Sequence, residues 1–197
     1  MKKLIHKEAV NTLESDLDQR GTICMVDISG YTNFVKETQN AIGLLSVSKL
    51  LQEIISANNQ FFNISEIEGD AILFYRIGTP YPVDVILKQF ETTLLAFNKM
   101  IDKLKVYGKN VTLLSIKSVV HYGVISQFSI GRFKKLYGKP LIEAHRLLKN
   151  SIKRETYSLI TEQYIDTSSH NSVTALLGIQ QTEKYDVGEM CYTYFPY

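Results

Sequence analysis

Apolar positions along the chain switch repeatedly between helical and extended spacing, and the switches mark the elements. Ile5, Ala9, Leu13 and Leu17 recur every four residues and predict a short amphipathic helix over 5–18. Residues 21–28 form a run rich in Ile, Val and Met and predict a buried strand. Leu44, Leu45, Val47, Leu51, Ile54 and Ile55 predict a helix over about 40–58. Residues 60–67 and 71–77 read as two strands, and Glu68-Gly69-Asp70 between them signals a tight hairpin. After the breaker Thr79-Pro80-Tyr81-Pro82, the positions Val83, Ile86, Leu87, Phe90, Leu94, Phe97, Met100, Ile101 and Leu104 predict a long helix to Lys105. Residues 111–130 read as one or two long strands interrupted at Tyr122-Gly123, and 132–137 as a loop. Pro140 opens a helix to about Ile152. A strand over 157–161, a helical turn over 162–165, a polar loop over 167–172 and strands near 177–185 and 189–195 complete the chain.

The resulting order is β-α-β-β-α-β-α-β-α-β-β. A strict βαβ alternation would give a doubly wound fold, and the 60–77 hairpin breaks it. The expectation is α+β, a mixed sheet covered by helices on one side. With no internal repeat, the chain reads as one domain over 21–197 behind an N-terminal helical extension over 1–20.

Composition narrows the function classes. Of 197 residues, 45% are hydrophobic and 21% charged, enough to bury a core without staples. The net charge of +2 supplies no basic field for nucleic acid or an anionic membrane. No segment reaches the roughly 18 apolar residues of a membrane span. The basic start runs into the charged stretch 14–20 rather than an apolar one, unlike a signal peptide. Cys24 and Cys191 lie in apolar, strand-like runs outside any CxxC or Cys/His cluster, as free thiols do in a reducing compartment. The expected location is cytoplasmic.

Two carboxylates carry the candidate chemistry. Asp27 ends the first strand just before Ser29-Gly30, and Asp70 follows a hairpin glycine and enters another apolar strand. A carboxylate at a buried strand end is costly unless it caps, pairs or binds a cation. Two of them on neighbouring strands suit a pair of hard cations in phosphoryl chemistry. The main-chain N–H groups from Ile28 to Thr32, around a glycine, can cradle a polyphosphate. Spacing alone leaves open that Asp27 only caps the turn and that Asp70 only occupies a hairpin corner.

The wording of these segments resembles a known family. Val26-Asp27-Ile28-Ser29-Gly30-Tyr31-Thr32-Asn33-Phe34 is similar to the opening motif of class III adenylate/guanylate cyclase catalytic domains. Glu68-Gly69-Asp70-Ala71-Ile72-Leu73 resembles their hairpin motif, and Val120-His121-Tyr122-Gly123 their central strand. Tyr137-Gly138 with Ala144-His145-Arg146-Leu147 resembles the loop and helix that carry a catalytic arginine. Val187-Gly188-Glu189-Met190 before Tyr192-Thr193-Tyr194 resembles the closing strand. These motifs keep order and spacing over 21–195. Ser65 to Asp70 and His145 to Asn150 look closer still to an uncharacterised bacterial branch related to these cyclases.

The resemblance implies a ferredoxin-like cyclase fold that dimerises head to tail, with nucleoside triphosphate sites at the interface of a homodimer. It implies two divalent cations, Mg²⁺ or Mn²⁺, held by Asp27, Ile28 and Asp70, and phosphate contacts from Ser29, Gly30, Tyr31 and Thr32. Arg146 of the partner subunit would neutralise charge in the transition state, making Asp27, Asp70 and Arg146 the catalytic set. The product would be a cyclic nucleotide, with pyrophosphate released.

Three departures set against this an inactive homologue, serving as a nucleotide-binding or dimerisation module. The family's asparagine four residues before the arginine is Ile142 here. The two base-reading positions fall on Glu66 and Lys135, a pair that matches no single base pattern of the family. The phosphate-binding lysine of the last hairpin aligns with Tyr185, leaving neighbouring Lys184 as a weaker candidate that strand alternation turns to the opposite face.

Overall fold

The computed structural model describes residues 18–168 and 177–197. The expected helix over 5–18 and most of the polar loop over 167–172 lie outside the described residues.

The chain folds as a mixed sheet with helices on both faces, not on one side as expected: the helix carrying Ala144 and Leu147 packs on the face opposite the helices carrying Leu50 and Phe90. In order the elements are β1 (Gln19–Ser29), α1 (Tyr31–Glu37), α2 (Asn40–Asn58), β2 (Asn63–Glu68), β3 (Ala71–Ile77), α3 (Val83–Leu104), β4 (Ser115–Ile130), β5 (Phe133–Tyr137), α4 (Lys139–Leu147), β6 (Tyr157–Thr161), α5 (Glu162–Thr167), β7 (Ile179–Tyr185) and β8 (Gly188–Pro196). The sheet runs β2-β3-β1-β4-β6-β8-β7, with β5 paired to the far end of β4. All pairings are antiparallel except β4 with β6. This is the α+β architecture that the order of elements predicts.

Alternation along β1 divides the core. Cys24, Val26 and Ile28 face α2 and α3, where they join Leu50, Ile54, Phe90 and Phe97. Ile23 and Met25 face the other way and pack with Leu73, Val119, Leu159 and, from α4, Ala144 and Leu147. Asp27 continues this second series, so its side chain belongs to the α4 face.

Five details of the elements differ from the sequence expectation. A short helix, α1, follows the Ser29-Gly30 turn before the helix expected from Asn40. Residues 109–113 form a 3₁₀ turn, so β4 begins at Ser115. β4 then runs unbroken through Tyr122-Gly123, because the glycine answers a packing need: a Cβ there would lie 2.5 Å from Cγ of Pro140 at the start of α4. Residues 132–137 are largely strand rather than loop: Ile130 pairs with Phe133 across Gly131-Arg132, with Gly131 at φ 58° as a two-residue hairpin turn requires. α4 stops at Leu147 instead of Ile152, because the Asn150 amide donates to the Leu147 carbonyl at 2.6 Å and its oxygen accepts from the Ile152 N–H at 3.0 Å.

The β7–β8 hairpin is pinned to the loop after α4 through Glu183. Its carboxylate accepts from the Ser151 N–H at 3.0 Å, the Ser151 hydroxyl at 2.7 Å and the Gln181 amide at 2.8 Å. Tyr185 and Tyr192 add their hydroxyls at 2.7 and 2.5 Å. Burial alone would raise the carboxyl, but these donors outweigh it and hold Glu183 at about 2 instead of 4.5. A carboxyl depressed in the folded state contributes its stability above its ordinary range and loses it as pH falls from there through the folded value. Glu183→Gln is therefore expected to cost about 1–2 kcal/mol at neutral pH. In urea denaturation at a series of pH values, the gap to the parent should close toward pH 2. Parallel pH profiles for the two proteins would contradict this role.

Candidate functional site

The site forms where β1 ends, between β3 and β4. Asp27 is the register partner of Ala71 on β3 and of Lys117 on β4. Asp70, in the turn immediately before β3, is tied to the same place by its carbonyl, which accepts from the Ile28 N–H at 3.3 Å. Strand pairing alone thus brings the two aspartates together. The Asp70 carboxyl is pushed above the ordinary carboxylate range, first by burial and then by the charge of Asp27. Two like charges this close favour a cation between them.

Lys117 already answers part of that demand. Its Nζ lies 3.2 Å from Oδ2 of Asp27 and also donates to the Leu148 carbonyl at 3.3 Å, just past α4. Lys117 lies outside all of the sequence motifs. The available signal is a lone lysine within the apolar run of β4, which must find a counter-charge.

Among the described residues, no cluster of three or more His, Cys, Asp or Glu side chains could hold a metal. Asp27 and Asp70 offer hard oxygen ligands, and the Ile28 side chain is buried in the core, so Ile28 can offer only main chain. This donor set fits Mg²⁺ or Mn²⁺ of the kind that takes one or two carboxylates and fills its shell with water and substrate phosphate.

Beyond Ile28 the chain turns sharply. Gly30 adopts φ 84°, and a Cβ there would lie 2.9 Å from the Leu113 carbonyl oxygen, so this position requires glycine. The Ser29 hydroxyl donates to the Glu155 carbonyl at 2.9 Å, and Ser29 closes the β1–β4 ladder opposite Ser115. Tyr31 and Thr32 form the first turn of α1, which carries no side-chain cap.

The other sequence candidates form separate groups. Glu66 on β2 and Lys135 on β5 make a direct ion pair, and the hydrogen bond to Glu66 raises the lysine above its ordinary range. A cavity of about 380 Å³ adjoins them, lined by Ser65, Tyr75, Arg132, Phe133 and Lys135. Arg146 on α4 is held in a two-pronged ion pair with Asp186 of the β7–β8 turn, at 2.7 and 2.8 Å. Ile142, one turn earlier, is half exposed. Tyr185 packs on the α4 face and Lys184 is exposed on the other, so the structure does not bring Lys184 to the aspartates. His121 is a packed strand histidine: Nδ1 meets the Thr161 hydroxyl at 2.9 Å and Nε2 meets buried Glu143 at 3.0 Å. Burial would raise Glu143, but His121 and Lys139 hold it below the usual range.

The fold is shared with nucleotide cyclase domains. The guanylyl cyclase Cya2 matches with a TM-score of 0.66 at 14% identity, over 90% of this chain and 93% of that one. The guanylate cyclase domain of RhGC from Catenaria anguillulae, in complex with GTP, matches with a TM-score of 0.59 at 17% identity, over 89% and 95%. The adenylyl cyclase CyaB from P. aeruginosa matches with a TM-score of 0.56 at 13% identity, over 91% and 95%. At these identities the likeness is one of fold. No curated protein matches the sequence. The family description "Protein of unknown function (DUF2652)" matches residues 47–157, a span that contains Glu66, Asp70, Lys117, Lys135 and Arg146. That span is more than half of the chain, and the chain belongs to the DUF2652 family.

Proposed function

We propose that this protein is a metal-dependent nucleotide cyclase, converting a nucleoside triphosphate to a cyclic nucleotide and pyrophosphate. The observation that carries the reading is the pair Asp27 and Asp70, fixed side by side by β1–β3 pairing on a cyclase fold. In this reading the ribose 3′-oxygen attacks the α-phosphorus, its proton leaves to solvent, and the bond to the β-phosphate oxygen breaks. Bound Mg²⁺ or Mn²⁺ supplies charge neutralisation at the phosphates. Asp27 and Asp70 hold the ions, the main chain of 28–32 orients the phosphates, and Arg146 of the partner subunit faces the charge that develops on the α-phosphate. Such chemistry needs positioning and electrostatics rather than a covalent nucleophile.

Base choice rests on Glu66 and Lys135. Their ion pair puts an acceptor beside a donor. Guanine offers N1–H and N2–H to the carboxylate and O6 to the ammonium, one bond more than adenine can make, so GTP is the substrate this pair favours.

A homodimer is part of the reading. Phe128, Ile130, Phe133 and Tyr137 are exposed on the β4–β5 arm, with Ile130 and Phe133 paired across its turn at 64% and 60% exposure. An apolar surface of this kind marks an interaction site, here for a second copy. Phe133→Glu is expected to shift sedimentation from dimer to monomer. A parent that sediments as a monomer at tens of micromolar with nucleotide and Mn²⁺ would contradict the dimer.

A second reading, a nucleotide-binding module without turnover, is favoured by Ile142, which cannot hydrogen-bond, and by the Asp186 contact that occupies Arg146. One assay separates the two. The purified protein is incubated with Mn²⁺ or Mg²⁺ and each of the four nucleoside triphosphates, and cyclic product and pyrophosphate are measured. Turnover is expected with GTP. Asp70→Asn should abolish it, Arg146→Ala should lower kcat about 10²–10³-fold with nucleotide binding retained, and Ile142→Asn should not reduce it. Metal-dependent nucleotide binding with no product from any nucleotide would establish the second reading. Undiminished synthesis in Asp70→Asn would overturn both.

A further inference from the structure

The aspartate pair is not electrically free. Asp27 and Asp70 carry two negative charges, and Lys117 sets one positive charge 3.2 Å from Oδ2 of Asp27. The ammonium is also anchored on its other side: it donates to the Leu148 carbonyl at 3.3 Å. Both partners of the ion pair are about one-fifth exposed, so solvent screens them far less than a surface pair. No third carboxylate, histidine or cysteine clusters with the pair among the described residues. A free divalent ion arriving here therefore meets a cluster of net charge −1 with a fixed ammonium beside one of its two ligands.

We propose that Lys117 is a built-in counter-cation that keeps free divalent ions off the Asp27–Asp70 pair and admits them together with a nucleotide polyphosphate. The inference rests on the metal-nucleotide reading of the site and adds the order in which its components enter. A lone ion of charge +2 gains the attraction of two carboxylates but suffers the repulsion of an ammonium that cannot swing far, being held at both ends. A polyphosphate reverses the balance. It brings negative charge, it gives the ammonium a second anion to face, and its oxygens complete the shell that two carboxylates leave open. Lys117 is thus a positioning and selectivity residue, and not one that touches the reacting atoms.

The test reads Mn²⁺ affinity directly, by electron paramagnetic resonance of the free ion, with and without a GTP analogue whose α,β-methylene bridge prevents release of pyrophosphate. The parent should bind Mn²⁺ weakly alone and much more tightly with the analogue. Lys117→Met, which keeps most of the length of the side chain and removes its charge, should tighten binding of Mn²⁺ alone by about tenfold or more and shrink the gain from the analogue correspondingly. Lys117→Arg should behave like the parent, and Lys117→Met with Asp70→Asn should lose the tightened binding. If Lys117→Met does not fold, Lys117→Gln, which keeps a donor for Asp27 and Leu148, should move affinity in the same direction. Unchanged affinity in the folded charge-removing variant, with Asp70-dependent Mn²⁺ binding intact, overturns the role of Lys117 and leaves the metal site standing. No Asp70-dependent binding in any variant, with or without the analogue, removes the metal reading and this inference with it.

Discussion

Asp27 and Asp70 repel each other, and the hydrogen-bonded pairing of β1 with β3 prevents them from separating. Asp27 cannot withdraw, because it sits in register with Ala71 on one side and Lys117 on the other. Asp70 cannot withdraw, because its own carbonyl is bonded to the Ile28 N–H. The backbone thus imposes an electrostatic demand that side-chain rotation alone does not relieve. Lys117 meets part of it, and the Asp70 carboxyl stays raised, first by its burial and then by the charge of Asp27. A fold that needed these aspartates only as turn residues would have no reason to hold them against one another.

The rest of the α4 face is arranged at a distance from this centre. Gly123 allows Pro140 to close on β4, which seats α4 across the sheet and places Arg146 at the β7–β8 turn. Glu183 gathers Ser151, Gln181, Tyr185 and Tyr192 and so fixes that turn against the loop following α4. On the opposite flank, the β4–β5 arm brings Lys135 to Glu66. Within one chain the aspartates, the Glu66–Lys135 pair and Arg146 are three separate groups. Under the proposed function, a head-to-tail arrangement of two copies would bring these groups together.

Much of the fold is legible in the sequence because hydrophobic spacing is strong where burial is strong. Residues 83–104 could be read from their period, and the 60–77 hairpin from the glycine between its two apolar runs. What escaped is local chemistry with little hydrophobic signal. The Gly131-Arg132 turn hid a strand, since exposed Phe133 and Lys134 do not read as a core element. Asn150 ended α4 early by a side-chain hydrogen bond that no period records. For the site, Asp27 and Asp70 stood out because carboxylates at buried strand ends are expensive. Lys117, Asp186 and Glu183 escaped because each acquires meaning only through a partner distant in sequence. Lys184 was already expected to face away from Tyr185, and regular alternation along β7 keeps it there.

The most direct test of the central claim is a crystal structure of the protein with Mn²⁺ and an α,β-methylene GTP analogue, using the anomalous signal of manganese. The account predicts anomalous density within coordination distance of both the Asp27 and Asp70 carboxylates, bridged to the nucleotide phosphates above the main chain of 28–32. Nucleotide bound elsewhere, or no manganese at the pair with Lys117 still alone against Asp27, would contradict it.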